Sequence, residues 1–176
     1  MVILRLTVFV LATESGRKLE RWASVMKSPK QFVEVMGEAL IHRTLRLCRQ
    51  HLKCDIYVLA RNDLYDSLSV IKLVPDLFAT KAHSVLSVLD KWVGGDLVLL
   101  YSDVYYSDAA FERVLHTSGT HFFGRAGRSA FTFKNYGELF AVRVVWEDRD
   151  YFLKCLRCVS ITMSAPGSKV FGRFIV

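Results

Sequence analysis

Residues Val2 to Ala12 form an apolar, β-branched run broken only by Arg5 and Thr7. Such a run, with no alternation of apolar and polar positions, predicts a strand buried on both faces, as in a parallel sheet. From Glu38 to His51 the period changes. Leu40, Ile41, Leu45, Cys48 and Leu52 recur at helical spacing with Arg43, Arg46, Arg49 and Gln50 between them, which predicts an amphipathic helix. Asp55 to Ala60 is a second buried strand, so a strand, helix, strand order is set early.

Asn62 and Asp63 mark a turn, and a weaker strand from Val70 to Val74 stops at Pro75. Val85, Leu86, Leu89, Trp92 and Val93 make a second helical stripe that ends at Gly94 and Gly95. Asp96 to Tyr101 is a third buried strand. Ser107 and Asp108 read as the cap of a helix over Ala109 to His116, with the Asp108 carboxylate beside the positive end of the helix dipole. Beyond it, Thr120 to Phe123 leads into a Gly/Arg-rich turn, 124–128, then a strand over Leu139 to Val145. A last helix over Glu147 to Thr162 has Phe152, Leu156 and Val159 on one face. Alternating strands and helices with right-handed crossovers predict an α/β fold, a three-layer α/β/α sandwich around a mostly parallel sheet. The 176 residues show no internal repeat and no linker, and read as one domain, 1–176.

Composition narrows the classes. With 52% hydrophobic and 23% charged residues, 3 Pro and 10 Gly, the chain is neither disordered nor collagenous. A mean hydropathy of +0.24 raises the question of a membrane. The longest apolar run is too short to span one, and it lacks the small-residue cleavage site of a secretory leader, so the expectation is a cytoplasmic protein with no membrane partner. The net charge of +7 favours polyanions such as nucleotides, sugar phosphates or nucleic acid, although the basic residues are scattered rather than clustered in an arm.

In open α/β sheets ligands sit beyond the carboxyl ends of the strands, which directs attention to the loops after the first and third buried strands. The first reads Leu11-Ala-Thr-Glu-Ser-Gly-Arg-Lys-Leu19, followed by Pro29-Lys30 and then Gly37-Glu-Ala-Leu-Ile-His-Arg-Thr-Leu45. The other is Tyr101-Ser-Asp-Val-Tyr-Tyr106. This ordered set resembles the nucleotide-diphospho-sugar transferase superfamily, with its Rossmann-like fold. The likeness is greatest to the sugar-phosphate nucleotidyltransferases, which open with L-A-A-G-x-G-x-R-L, then P-K, then G-x-x-L-I-x-R-T-L. The resemblance covers about residues 2 to 116.

It implies a nucleotide held by Ala12, Gly16, Lys18, Lys30 and Tyr105, with Gly16 allowing close backbone approach to phosphate and the two lysines supplying positive charge. It further implies catalysis by Lys18, Lys30 and Asp103, and Mg2+ or Mn2+ at Asp103. Glu138 is the better candidate for a second metal carboxylate, and Glu147, Asp148 and Asp150 are others. The implied reaction is in-line attack of a sugar phosphate on the α-phosphorus of a nucleoside triphosphate. A second reading is a glycosyltransferase of the same broad fold that uses a nucleotide sugar. Asp103-Val-Tyr105 supplies only the first aspartate of its D-x-D motif, and Arg125, Arg128 and Lys134 would face a diphosphate or an anionic acceptor, including DNA. A third is a non-catalytic nucleotide-binding protein. Glu14 favours it by putting a carboxylate where the family has its first glycine, and Ser102 replaces the glycine before the metal aspartate.

The four cysteines include Cys155 and Cys158 at zinc half-site spacing, which Cys48 and Cys54 would have to complete. Their positions on predicted helices favour buried free thiols instead. The five histidines have no acidic or serine partner at catalytic spacing, and His42 and His51 fall on a helix surface. Tyr101, Tyr105, Tyr106, Phe122 and Phe123 read as packing residues, with Tyr105 and Tyr106 next to Asp103.

Overall fold

The computed structural model describes residues 5–13, 28–126 and 138–164. Six strands form one sheet: β1 (Leu6–Leu11), β4 (Ile56–Leu59), β5 (Ile71–Leu73), β6 (Asp96–Tyr101), β7 (His121–Arg125) and β8 (Glu138–Val144). Two short strands, β2 (Glu34–Val35) and β3 (Glu38–Ala39), make a separate hairpin. The sheet order is β5-β4-β1-β6-β8-β7. The first four of these strands are mutually parallel, and β8 runs antiparallel to both β6 and β7.

Every residue of β1 is buried, as a central strand covered on both faces requires. Its side chains alternate between two cores. Val8 and Val10 join Ile41, Leu45 and Cys48 of α1 (Leu40–His51) and Phe111, Val114 and Leu115 of α3 (Asp108–His116). Phe9 and Leu11 join Val85 of α2 (Lys81–Leu86), Trp92, and Phe152 and Leu156 of α4 (Arg149–Ser164). These two helical layers against one sheet are the α/β/α sandwich that the pattern predicts. Full burial of each large apolar side chain contributes on the order of 1.5–3 kcal/mol, so the two cores carry most of the cohesion. None of the described helices is long and apolar enough to cross a membrane.

Several elements differ from the pattern. The helix expected from Glu38 starts at Leu40, because Glu38 and Ala39 pair with Val35 and Glu34 across the two-residue turn Met36-Gly37. Both turn residues have positive φ, 55° and 80°, the geometry of a type I′ hairpin. The stripe from Val85 to Val93 is not one helix. After Leu86 the bonding changes to i, i−3 at Val88, Lys91 and Trp92, which turns Val93 out to 69% exposure. Gly124 and Arg125 extend β7 instead of turning, with an irregularity in register between Phe123 and Gly124. The last helix begins at Arg149 after a 3-10 turn over Trp146–Asp148.

Candidate functional site

The chain runs from β1 to β4 and β5 on one side of the sheet and then returns to β6 on the other side of β1. Strand order therefore reverses between β1 and β6, and their carboxyl ends bound the crevice where α/β folds bind ligands. Ala12 and Thr13 end β1 there, both buried, with the Ala12 amide donating to the Leu59 carbonyl at 3.0 Å. On the other strand, Ser102 is buried. Its hydroxyl donates to the Leu11 carbonyl at 2.7 Å and its amide reaches the same oxygen at 3.3 Å, tying the end of β6 to the end of β1. The position where the related pattern has glycine is thus one at which a small hydroxyl has a structural use.

Asp103 follows directly, and Lys30 comes to it from the other loop. Lys30 opens a 3-10 turn, Lys30–Phe32, closed by Phe32 N–H donating to the Pro29 carbonyl at 2.9 Å. The Phe32 ring anchors this turn against Tyr65, with centroids 5.1 Å apart, and against His42 at 6.2 Å. From there the Lys30 ammonium donates to Asp103 Oδ2, an ion pair across 73 positions of sequence. The two side chains are 29% and 22% exposed, so solutes can reach the pair.

A second cluster holds the rest of the loop. The phenol of Tyr106 accepts from the Tyr101 amide at 3.0 Å and donates to the Phe140 carbonyl at 2.5 Å, joining β6 to β8. Burial pushes this phenol well above the ordinary tyrosine range, and it pushes Tyr101 up to about 12. Arg43 of α1 donates through Nε to the Tyr106 carbonyl at 2.6 Å and through Nη2 to Asp108 at 3.1 Å. Its guanidinium carbon lies 4.4 Å from the centre of the Tyr105 ring. Glu38 accepts from Arg46 at 2.8 and 2.9 Å, and this hydrogen bonding holds its carboxyl below the usual range. Tyr105 itself is 40% exposed, and its hydroxyl donates to the sulfur of Met36 at 3.5 Å.

Further cations rest on aromatic faces near the strand ends. The Lys81 ammonium lies 4.4 Å from the Tyr101 ring centre, and the Arg61 guanidinium lies 3.7 Å from that of Phe78. Sequence spacing did not single out Arg43, Arg61 or Lys81. Their ring partners are 62, 17 and 20 positions away, beyond the reach of any local motif.

Of the expected site residues, Ala12, Lys30, Asp103 and Tyr105 are at this one edge of the sheet. Glu14, Gly16 and Lys18 lie outside the described residues, as do Arg128 and Lys134. Glu138 begins β8. Because β8 is antiparallel to β6 with Ala141 opposite Leu100, its first residue belongs to the same end of the sheet as Asp103. The alternatives Glu147, Asp148 and Asp150 belong to the opposite end. Val144 pairs with Leu97, and the Trp146 amide donates to Asp96 at 3.1 Å, which puts them beyond the far end of a six-residue strand. That is about 23 Å of strand from Asp103. The zinc grouping also does not form: among the described residues no three Cys, His, Asp or Glu side chains are placed to share a metal. Cys48 is buried and Cys158 exposed, so the expectation of buried thiols holds for the first and not for the second.

No protein-family model matches the chain, and no curated protein sequence matches it. Solved structures do. CTP:phosphocholine cytidylyltransferase of Streptococcus pneumoniae superposes with a TM-score of 0.57 at 13% identity, covering 90% of this chain and 79% of the other. The inositol-1-phosphate CTP transferase of T. maritima gives 0.53 at 15% identity, covering 87% and 74%. A protein of Mycobacterium tuberculosis gives 0.60 at 14%, covering 94% and 86%. The chain shares the fold of these structures. At these identities the likeness is one of architecture. Within this fold, the crevice between β1 and β6 is the place to look for chemistry, and there the chain puts Lys30 on Asp103.

Proposed function

We propose that this chain is a nucleotidyltransferase. It would take a nucleoside triphosphate and a small phosphorylated acceptor such as a sugar phosphate, with a divalent cation at Asp103. The observation that carries this reading is the convergence of Lys30 and Asp103 at the β1/β6 crevice. The names of the similar structures, a phosphocholine cytidylyltransferase and an inositol-1-phosphate CTP transferase, support nucleotidyl transfer to a small phosphorylated acceptor over nucleic acid.

The donor set suits Mg2+ or Mn2+. Asp103 is a hard oxygen ligand that already holds a positive charge, and Glu138 starts the neighbouring strand at the same end of the sheet. Such an ion, when bound, neutralises triphosphate charge and polarises the α-phosphoryl group. The chain's own residues do the rest. Lys30 binds phosphate oxygens as a point charge, and Ala12, buried at the end of β1, sets the strand end behind it. Tyr105, backed by Arg43, offers an exposed aromatic face beside the reacting groups. Gly16 and Lys18, outside the described residues, are the further positions that the resemblance assigns to phosphate. An acceptor phosphate oxygen attacks the α-phosphorus, the bond to the β-phosphate breaks, and pyrophosphate leaves, so the protein contributes mainly alignment and charge stabilisation.

The test is pyrophosphate release from each of the common nucleoside triphosphates, with Mg2+ and a panel of sugar phosphates and phosphoalcohols. Release that requires an acceptor and falls at least about 100-fold in Asp103→Asn supports the reading. Release of a nucleoside diphosphate from a nucleotide sugar would assign glycosyl transfer instead, and turnover of neither class would leave a binding protein.

A further inference from the structure

We propose that Lys30 is an exchangeable counter-ion for Asp103, so that the arrival of phosphate and the arrival of the divalent cation are coupled through the movement of one ammonium group. This rests on the assignment of Asp103 as the cation ligand and goes beyond it. The carboxylate that should receive a metal ion already carries a positive partner supplied by the chain itself. Neither residue is sealed. Each exposes about a quarter of its side chain, and Lys30 sits on a flexible four-carbon stem at the start of an anchored 3-10 turn.

A divalent cation and an ammonium group on the same Asp103 carboxylate repel each other and draw on the same negative charge, so each weakens the other's hold. With no phosphate present, Lys30 has Asp103 as an anionic partner and keeps it, so the cation binds weakly. A triphosphate offers the ammonium a second, more highly charged partner a short side-chain rotation away. When Lys30 turns to it, the Asp103 carboxylate is freed of its counter-ion and would hold a divalent cation more tightly. Linkage makes the effect reciprocal: whatever phosphate does for cation affinity, the cation does for phosphate affinity. The anchoring of the turn by Phe32 against Tyr65 and His42 confines the exchange to the side chain.

The experiment uses the full chain and two base-independent probes, Mn2+ alone and inorganic tripolyphosphate in EDTA. Mn2+ binding is followed through the electron paramagnetic resonance of the free ion, and tripolyphosphate binding by calorimetry. Lys30→Met is expected to bind Mn2+ about tenfold more tightly than wild type. Lys30→Gln serves as a second neutral variant should Lys30→Met fold poorly. Asp103→Asn is expected to bind tripolyphosphate about tenfold more tightly, and most of that gain should vanish in the Lys30→Met background, since the two side chains act as a pair. Equal or weaker Mn2+ binding by both Lys30 variants, with binding still lost in Asp103→Asn, overturns the exchange and leaves the cation site standing. Mn2+ binding indifferent to Asp103→Asn overturns the cation site and the exchange with it.

Discussion

Ser102 donates a 2.7 Å hydrogen bond from its hydroxyl to the carbonyl of Leu11 and thereby fastens the two strand ends that carry the candidate site. The Ser102 amide reaches the same oxygen at 3.3 Å, so removing the hydroxyl weakens the joint without orphaning the carbonyl. Ser102→Ala should cost about 1 kcal/mol, the net worth of one buried hydrogen bond. Ser102→Gly should cost about 0.5–1 kcal/mol more through backbone entropy, despite restoring the residue of the related pattern. Urea unfolding of the three proteins checks the order; a glycine variant as stable as wild type would show that the hydroxyl contributes nothing.

The Tyr106 phenol satisfies two backbone groups on neighbouring strands from a ring that is 3% exposed. Tyr106→Phe keeps the edge-on contact with Phe111, whose centroid is 6.1 Å away, and deletes both bonds. The Tyr101 amide and the Phe140 carbonyl each lose a buried partner, at about 1–3 kcal/mol per group before relaxation. A total loss of about 2 kcal/mol is expected by chemical denaturation. A change below about 0.5 kcal/mol, the usual range for surface substitutions, would mean that the loop repacks freely.

Gly95 was legible as a helix stop, yet its larger role is packing. It has φ of +71°, and a methyl group there would lie 1.9 Å from the carbonyl oxygen of Arg5, backbone on which the first pairing of β6 depends through the Asp96 amide at 3.0 Å. Neither atom is the end of a flexible side chain. Gly95→Ala should therefore destabilise by more than about 3 kcal/mol, combining the left-handed penalty with displacement of β1 from β6. Gly94→Ala is the control, because a methyl there meets only the Arg5 guanidinium at 3.5 Å. Equal melting temperatures for the two variants would refute the distinction.

The contrast between these elements shows what a chain discloses unaided. β1 and β6 were readable because strands buried on both faces have no solvent-side alternation to confuse the pattern. α3 was readable because Ser107 caps it, accepting from the Ala110 amide at 3.2 Å. The continuation of β7 through Gly124 and Arg125 was hidden, since glycines at 124 and 127 outweigh local strand propensity until β8 supplies the partner. At the site, Lys30 and Asp103 were legible only through a resemblance, because 73 positions separate them. The support Arg43 gives to Tyr105 and Tyr106 was not legible at all. A guanidinium interleaved on an amphipathic helix looks solvated until the fold lays a loop across it.

Cys48 and Cys158 should separate sharply by reactivity, because one is buried and the other exposed. Cys48 is buried among the apolar side chains beneath α1, and this burial pushes its thiol from an ordinary 9.0 up to about 12. The fold thus favours the protonated form. The unfolded chain gives up that proton near pH 9 and the folded chain only near 12, so between those values the unfolded state binds fewer protons and stability falls as pH rises. The contribution is fully present below pH 9 and drains away through the window up to 12. Cys48→Ala should lose about 1 kcal/mol at pH 7 to the missing sulfur, yet show a shallower decline in stability than wild type from pH 9 to 10, the tyrosine contribution being common to both proteins. An aromatic disulfide reagent at pH 8 should modify exposed Cys158 first and Cys48 only at the rate of unfolding. Rapid modification of Cys48 in the folded protein, or identical pH slopes for the variant and wild type, would refute its placement in the core.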